Sequence, residues 1–181
     1  MNTPNAAASA DVSDNDTGNP SDTKLILAKS KLIIGKGETV TIPVTTTPAS
    51  SKKQLAYSSS NKKAVVKSNG KITGKKKGKA TITITAPDKT QKKLTVQVKK
   101  APSTLRLKAA KTELKKGKTT QLTTKLNTGS ASYSLTYQST NPKIVSVSQN
   151  GKVKAKKTGE AWITVRTYNN KTARIKIVVR I

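Results

Sequence analysis

Cysteine, histidine and phenylalanine are missing from this chain altogether, and only eight of its 181 residues are acidic. Without cysteine there can be no disulfide, and the redox compartment stays open. Without histidine, general acid–base chemistry would need positioned carboxylates, and those are scarce. Asp11, Asp14, Asp16 and Asp22 all fall in the first 23 residues, which leaves Glu38, Asp88, Glu113 and Glu160 spread over the rest. Calcium needs several carboxylates at one place, so neither a metal site nor a cofactor is expected, and the chain reads as non-catalytic. No apolar run approaches the roughly 20 residues of a membrane helix. The start also lacks the basic-then-apolar pattern of an export signal. A Met followed by a polar Ala/Ser/Asn leader is what remains when such a signal has been removed.

Basic side chains are what the sequence has in excess. Residues 24–181 hold all 36 Lys and Arg, giving that stretch +32 and the whole chain +28. Arg106, Arg166, Arg174 and Arg180 are the four arginines, and the other 32 bases are lysines. Lysine is a mobile, hydrated point charge, whereas planar two-pronged recognition of phosphate or carboxylate favours arginine. The excess therefore reads as a field that draws anions rather than as a device that reads them. Residues 1–23 carry no base and almost no bulky apolar side chain, so they are expected to be a disordered acidic leader.

The remainder states itself twice. YSSSNKKAVV at 57–66 is echoed by YQSTNPKIVSV at 137–147, and Leu25, Leu27, Gly37, Tyr57 and Asn61 match Leu105, Leu107, Gly117, Tyr137 and Asn141 at a shift of 80. Beyond that loop the shift is 81, pairing Gly70, Gly78, Ala80, Ile82 and Val98 with Gly151, Gly159, Ala161, Ile163 and Val179. Two modules are expected, 24–101 and 102–181, with Pro102 in the seam.

Inside each module the apolar period is two, the period of a strand. Ala80, Ile82 and Ile84 alternate with Thr81, Thr83 and Thr85, and Leu94, Val96 and Val98 follow suit. Ala161, Ile163 and Val165, then Ile175, Ile177 and Val179, repeat the pattern. Leu55 with Tyr57, and Leu135 with Tyr137, are expected to face inward on a central strand. Asn-Gly at 69–70 and 150–151 suggests a tight hairpin with positive φ at both central residues. Gly37, Gly78, Gly117 and Gly159 stand where sharp reversals are needed. Pro43 cannot donate to a ladder, so TVTIPV should have a bulge or an unpaired edge there. The fold class is all-β, two tandem β-sandwiches.

In order, Leu25/Leu27, Gly37 to Ile42, Tyr57 to Asn61, Val65/Val66, Asn69 to Ile72, Gly78 to Thr83 and Leu94 to Val98, with their second-copy equivalents, resemble the bacterial immunoglobulin-like domain, group 2. The resemblance covers everything after the leader. It implies immunoglobulin-like modules that serve as spacers or adhesion units in a longer cell-surface or secreted protein, found outside the cell. A role as accessory domains of a surface carbohydrate-active enzyme is the alternative. The family has no catalytic residues to carry over. A self-made Lys–Asn crosslink, known in other surface immunoglobulin-like domains, needs a buried acid, and Glu38, Glu113 and Glu160 sit in turn-like contexts.

Two surface features are candidate sites. Lys75, Lys76 and Lys77 occupy the same turn as Lys156 and Lys157, and either protect sheet edges or bind anionic cell-wall or host polymers. Trp162, between inward Ala161 and Ile163, points outward by alternation and is either a surface contact or a cover for the seam. Dedicated nucleic-acid readers add aromatic platforms, which four tyrosines and one tryptophan do not suggest. Another surface protein is a further candidate partner, and a monomer is expected.

Overall fold

The structure is a computed structural model that describes residues 23–181. The leader expected at the start lies outside the described residues, except for Thr23. That residue is buried in the first module, and its hydroxyl donates to Ser51 Oγ at 3.3 Å.

Module 1 contains β1 (Lys24–Leu27), β2 (Lys31–Gly35), β3 (Thr39–Thr41), β4 (Val44–Thr47), a 3-10 helix (Ala49–Gln54), β5 (Ala56–Ser59), β6 (Ala64–Val66), β7 (Lys71–Gly74), β8 (Gly78–Thr85) and β9 (Gln91–Lys99). Module 2 contains β10 (Leu105–Ala109), β11 (Glu113–Lys115), β12 (Thr119–Leu126), β13 (Leu135–Ser139), β14 (Val145–Val147), β15 (Lys152–Ala155), β16 (Gly159–Thr167) and β17 (Thr172–Arg180). One layer of each sandwich is a four-stranded sheet, ordered β2-β9-β8-β5 in the first and β11-β17-β16-β13 in the second. The first apolar segment of each module divides between the layers. β1 pairs with β4 and β10 with β12, whereas β2 and β11 cross over to run parallel to β9 and β17.

Alternation decides what is dry. Ile82, Ile84, Leu94 and Val96 in module 1, and Ile163, Val165 and Ile177 in module 2, are fully buried, while the threonines between them face out. Ile175 is half-buried. Branched side chains suit this pleated, one-sided burial, and removing one from such a core leaves a cavity that neighbours fill poorly.

Pro43 has a larger effect than a bulge. β12 runs unbroken through eight residues and pairs with both β10 and β15. The equivalent stretch of module 1 breaks at Ile42–Pro43 into β3, which pairs with β7, and β4, which pairs with β1. The missing N–H therefore splits one four-stranded layer into a three-stranded and a two-stranded sheet.

Two sequence expectations need correction. β5 and β13 are edge strands, so Tyr57 and Tyr137 are not central; Leu55 is buried, but Tyr57, Leu135 and Tyr137 are half-buried. Their rings do face inward, packed against the two cores, and lie against Gly70 and Gly151, where a Cβ would come within 3.0 Å and 3.2 Å of them. The desolvated Tyr57 phenol is pushed above its ordinary value by burial. Second, only the glycines of the two Asn-Gly pairs have positive φ, +72° and +76°. Gly70 N–H donates to Lys67 O and Lys67 N–H to Lys71 O, both at 2.9 Å, which is a three-residue loop closed by a left-handed glycine rather than a two-residue one. The same loop recurs at 86–90 and 167–171, with Lys89 (φ 68°) and Asn170 (φ 64°) in the left-handed place. Asp88 helps to hold the lysine there: its carboxylate accepts from Thr90 N–H and Thr90 Oγ1, both at 2.9 Å.

Lys89 carries a Cβ into a conformation that costs non-glycine residues about 1–2 kcal/mol. Lys89→Asn, copying Asn170, is expected to raise stability by about 0.5–1 kcal/mol in denaturant titration. Ile82→Ala should lower it by about 2–5 kcal/mol.

Candidate functional site

The two sandwiches meet at a joint centred on Glu38. This side chain follows the reversal at Gly37 (φ +87°), and its relative exposure is 1%. Within module 1, Gly35 N–H donates to Glu38 Oε2 at 2.8 Å. From module 2, Tyr133 N–H donates to Oε1 at 2.8 Å and to Oε2 at 2.9 Å, and Ser134 N–H donates to Oε1 at 3.1 Å. Ser132 Oγ lies 3.5 Å from Oε1. A buried carboxylate is costly unless its lone pairs are filled. Here backbone dipoles fill them, forming charge-assisted bonds of the stronger kind.

Further links surround that centre. Tyr168 Oη donates to Lys36 O at 2.6 Å. Its phenol is pushed up by burial first and by the negative Glu38 second, so it remains the neutral donor this bond needs. Gly35 sits directly beneath that ring, and a Cβ there would fall 2.3 Å from Tyr168 Oη and 2.5 Å from Ala131 O. Lys29 Nζ stands 5.4 Å from the Tyr133 ring centroid, within cation–π range. The connecting segment is itself pinned. Lys100 N–H donates to Gly129 O at 3.2 Å and Ala131 N–H to Lys100 O at 3.1 Å. Asn127 Oδ1 accepts from Ser103 and Thr104 N–H at 2.8 and 3.3 Å, and Asn169 Nδ2 donates to Pro102 O at 2.8 Å.

Sequence reasoning did not find this joint. Glu38 does sit in a turn, but the turn is covered by the other module, so a turn-like context did not mean exposure. The available signal was divergence between otherwise matched copies. Gly35 and Glu38 align with Lys115 and Lys118, and Tyr133-Ser134 with Lys53-Gln54.

The sequence-selected residues lie elsewhere. Lys75, Lys76 and Lys77 are exposed on the β7–β8 turn, at the end of module 1 that carries Glu38: Gly74 N–H donates to Glu38 O at 3.0 Å. Lys156 and Lys157 are exposed at the corresponding end of module 2, where both N–H groups point at Ile144 O. The structure does not bring the two lysine turns together; they occupy equivalent ends, one module apart. Trp162 is 38% exposed on the outer face of β16. Its ring faces the Arg174 guanidinium, 4.7 Å from the centroid, and its N–H backbone bond goes to Thr140 Oγ1 at 3.0 Å. The seam is built from other residues, so a covering role for Trp162 across it is not observed. The Lys176–Glu160 pair at 2.5 Å and the Arg180–Glu113 pair at 3.4 Å are both exposed and contribute little. Among the described residues no group of three His, Cys, Asp or Glu is arranged to hold a metal, and no helix is long and apolar enough to cross a membrane.

Compared with known proteins, the profile of the bacterial Ig-like domain (group 2) matches residues 23–98 and again 103–177. The chain belongs to the bacterial Ig-like domain family, group 2. An uncharacterized protein of Clostridium acetobutylicum is 33% identical over 147 residues, 78% of this chain and 15% of that protein. Lacto-N-biosidase of Bifidobacterium bifidum is 41% identical over 66 residues, 36% of this chain and 6% of the enzyme. The Ig-like pair thus spans a small fraction of the curated relatives it matches. Among solved structures, the Yersinia pseudotuberculosis adhesin InvE is 12% identical, with 90% of this chain and 60% of that one covered and a TM-score of 0.39. A C-terminal intimin fragment bound to the translocated intimin receptor is 21% identical, with 68% and 50% covered and a TM-score of 0.34. At these identities and scores the likenesses say nothing of function.

Two expected outcomes test the joint of the Ig-like pair. Glu38→Gln keeps the shape but removes the charge, weakening the joint by about 1.5–3 kcal/mol. Limited proteolysis should then cut between 99 and 104 faster than in the unaltered protein, releasing two folded modules. Tyr168 gives a pH signature. Its raised value means its contribution is fully present below about pH 10, the ordinary tyrosine range, and is lost as pH rises through the folded value. The stability difference between the unaltered protein and Tyr168→Phe should therefore shrink as pH rises above about 10.

Proposed function

We propose that the chain is a non-catalytic pair of spacer and adhesion modules in a bacterial surface or secreted protein, held in one mutual orientation outside the cell. The observation that carries this reading is the Glu38 joint. A carboxylate of one module is consumed by backbone N–H groups of the next, and Lys100, Pro102, Ser103 and Thr104 of the connection are bonded to module 2. A freely jointed tether needs none of these bonds, whereas a strut that transmits position does. Family membership supports the reading, as does the small share of each relative that the pair spans.

A second reading has its own support. The match to lacto-N-biosidase over 66 residues favours accessory modules that hold a glycan-cleaving domain at a set distance from its anchor. The mechanical role is the same in both, and neighbouring domains in the parent protein would separate them.

The test is reach. With the pair inserted between a cell-wall anchor and an epitope on a bacterial surface, antibody binding to the epitope should exceed that for a Gly35→Ala/Glu38→Gln pair of equal length. Equal binding for both would contradict the spacer reading.

A further inference from the structure

The end of module 1 that seats module 2 has a counterpart at the far end of module 2, made by the same backbone bonds. Gly37 N–H donates to Gly74 O at 2.7 Å, and Gly117 N–H donates to Ala155 O at 2.9 Å. Both glycines are left-handed, at +87° and +84°. The side chains on the two turns are opposite in kind. Module 1 has Gly35-Lys36-Gly37-Glu38, with no net charge, and module 2 has Lys115-Lys116-Gly117-Lys118, with +3. Lys118 replaces the carboxylate that accepts from a neighbour, and an ammonium only donates. Lys115 stands where module 1 has no room for even a Cβ. The far end therefore cannot seat a neighbour as module 1 does, and what fits it must supply anionic acceptors.

The surroundings strengthen the inversion. Ala155 N–H donates to Lys118 O at 2.9 Å, so the turn bearing Lys156 and Lys157 adjoins this one, and Lys116 N–H donates to Arg180 O at 3.1 Å. The five lysines and Arg180 are all exposed. Glu113, 3.4 Å from Arg180, offsets one of these charges. No aromatic side chain is among them to act as the buried anchor typical of a protein interface. Lysines on flexible stems suit repeated, diffuse anionic charge instead.

We propose that this end of module 2 binds a linear polyanion carrying closely spaced phosphate or sulfate groups. The equivalent end of module 1 is committed to the joint, and its Lys75–Lys77 turn is the lesser contributor. The site does not depend on the spacer reading, because nothing in it touches Glu38 or the linker.

The test compares two variants of the full chain that lose the same three units of charge. Lys115→Gly/Lys118→Glu rewrites the far end in the manner of module 1, and Lys75→Gln/Lys76→Gln/Lys77→Gln discharges the other turn. Affinity for heparin and for linear inorganic polyphosphate is measured at several salt concentrations. The first variant should lose about tenfold or more near 0.15 M salt, with the slope of log affinity against log salt shallower by about 2. The second should stay within about threefold. Lys116→Gln/Lys156→Gln/Lys157→Gln, at exposed positions with no backbone change, should reproduce the first loss and guards against misfolding. The preferred polymer tells phosphate from sulfate. Equal losses in the two charge-matched variants would reduce the effect to net charge and overturn the site, as would unchanged affinity in the first or no binding to either polymer.

Discussion

The arrangement of the pair depends on one carboxylate. Glu38 is a charged group taken out of water with no salt bridge to it among the described residues, tolerated because N–H groups from both modules converge on it. Neither module satisfies it alone, since Gly35 supplies one bond and Ser132, Tyr133 and Ser134 of module 2 supply the rest. Separating the modules would strip these partners together, and that couples two otherwise independent cores. Glu38→Gln and Gly35→Ala attack this coupling from different sides, one by removing charge and the other by filling space.

The sandwiches themselves obey a simpler constraint. Each small domain of about 80 residues buries only about 60–65% of its unfolded surface, so the alternating aliphatic strands carry most of the stabilisation. That requirement is strict in β8, β9 and β16 and relaxed at the edges, where β5 and β13 lie half-buried. The positive charge sits outside this economy. It is spread over turns and outer faces, where lysine stems remain hydrated.

The layers were legible because strand burial is written locally, residue by residue, as in Ala80-Thr81-Ile82-Thr83-Ile84. The Pro43 disturbance was legible as well, though its extent was not, because whether a missing N–H bends a strand or ends it depends on partners far along the chain. Tyr57 was placed on a central strand because alternation reports the face of a sheet and not the position within it. The joint was illegible for a related reason. Glu38 looks like any polar turn residue until module 2 covers it, and burial between modules leaves no periodic trace. Trp162 shows the converse: alternation puts it on the outer face, but only the register of β16 against β17 gives it Arg174 as a neighbour.

Because the chain has no native cysteine, spin labels can be placed without interference at Ser68→Cys and Gln149→Cys, exposed positions that match in the two modules. Pulsed electron–electron resonance between them measures the distribution of inter-module distances directly. A single narrow distance, unchanged by salt, is what a carboxylate-locked joint requires. A broad distribution in the unaltered protein would show that the modules swing freely and would contradict the account.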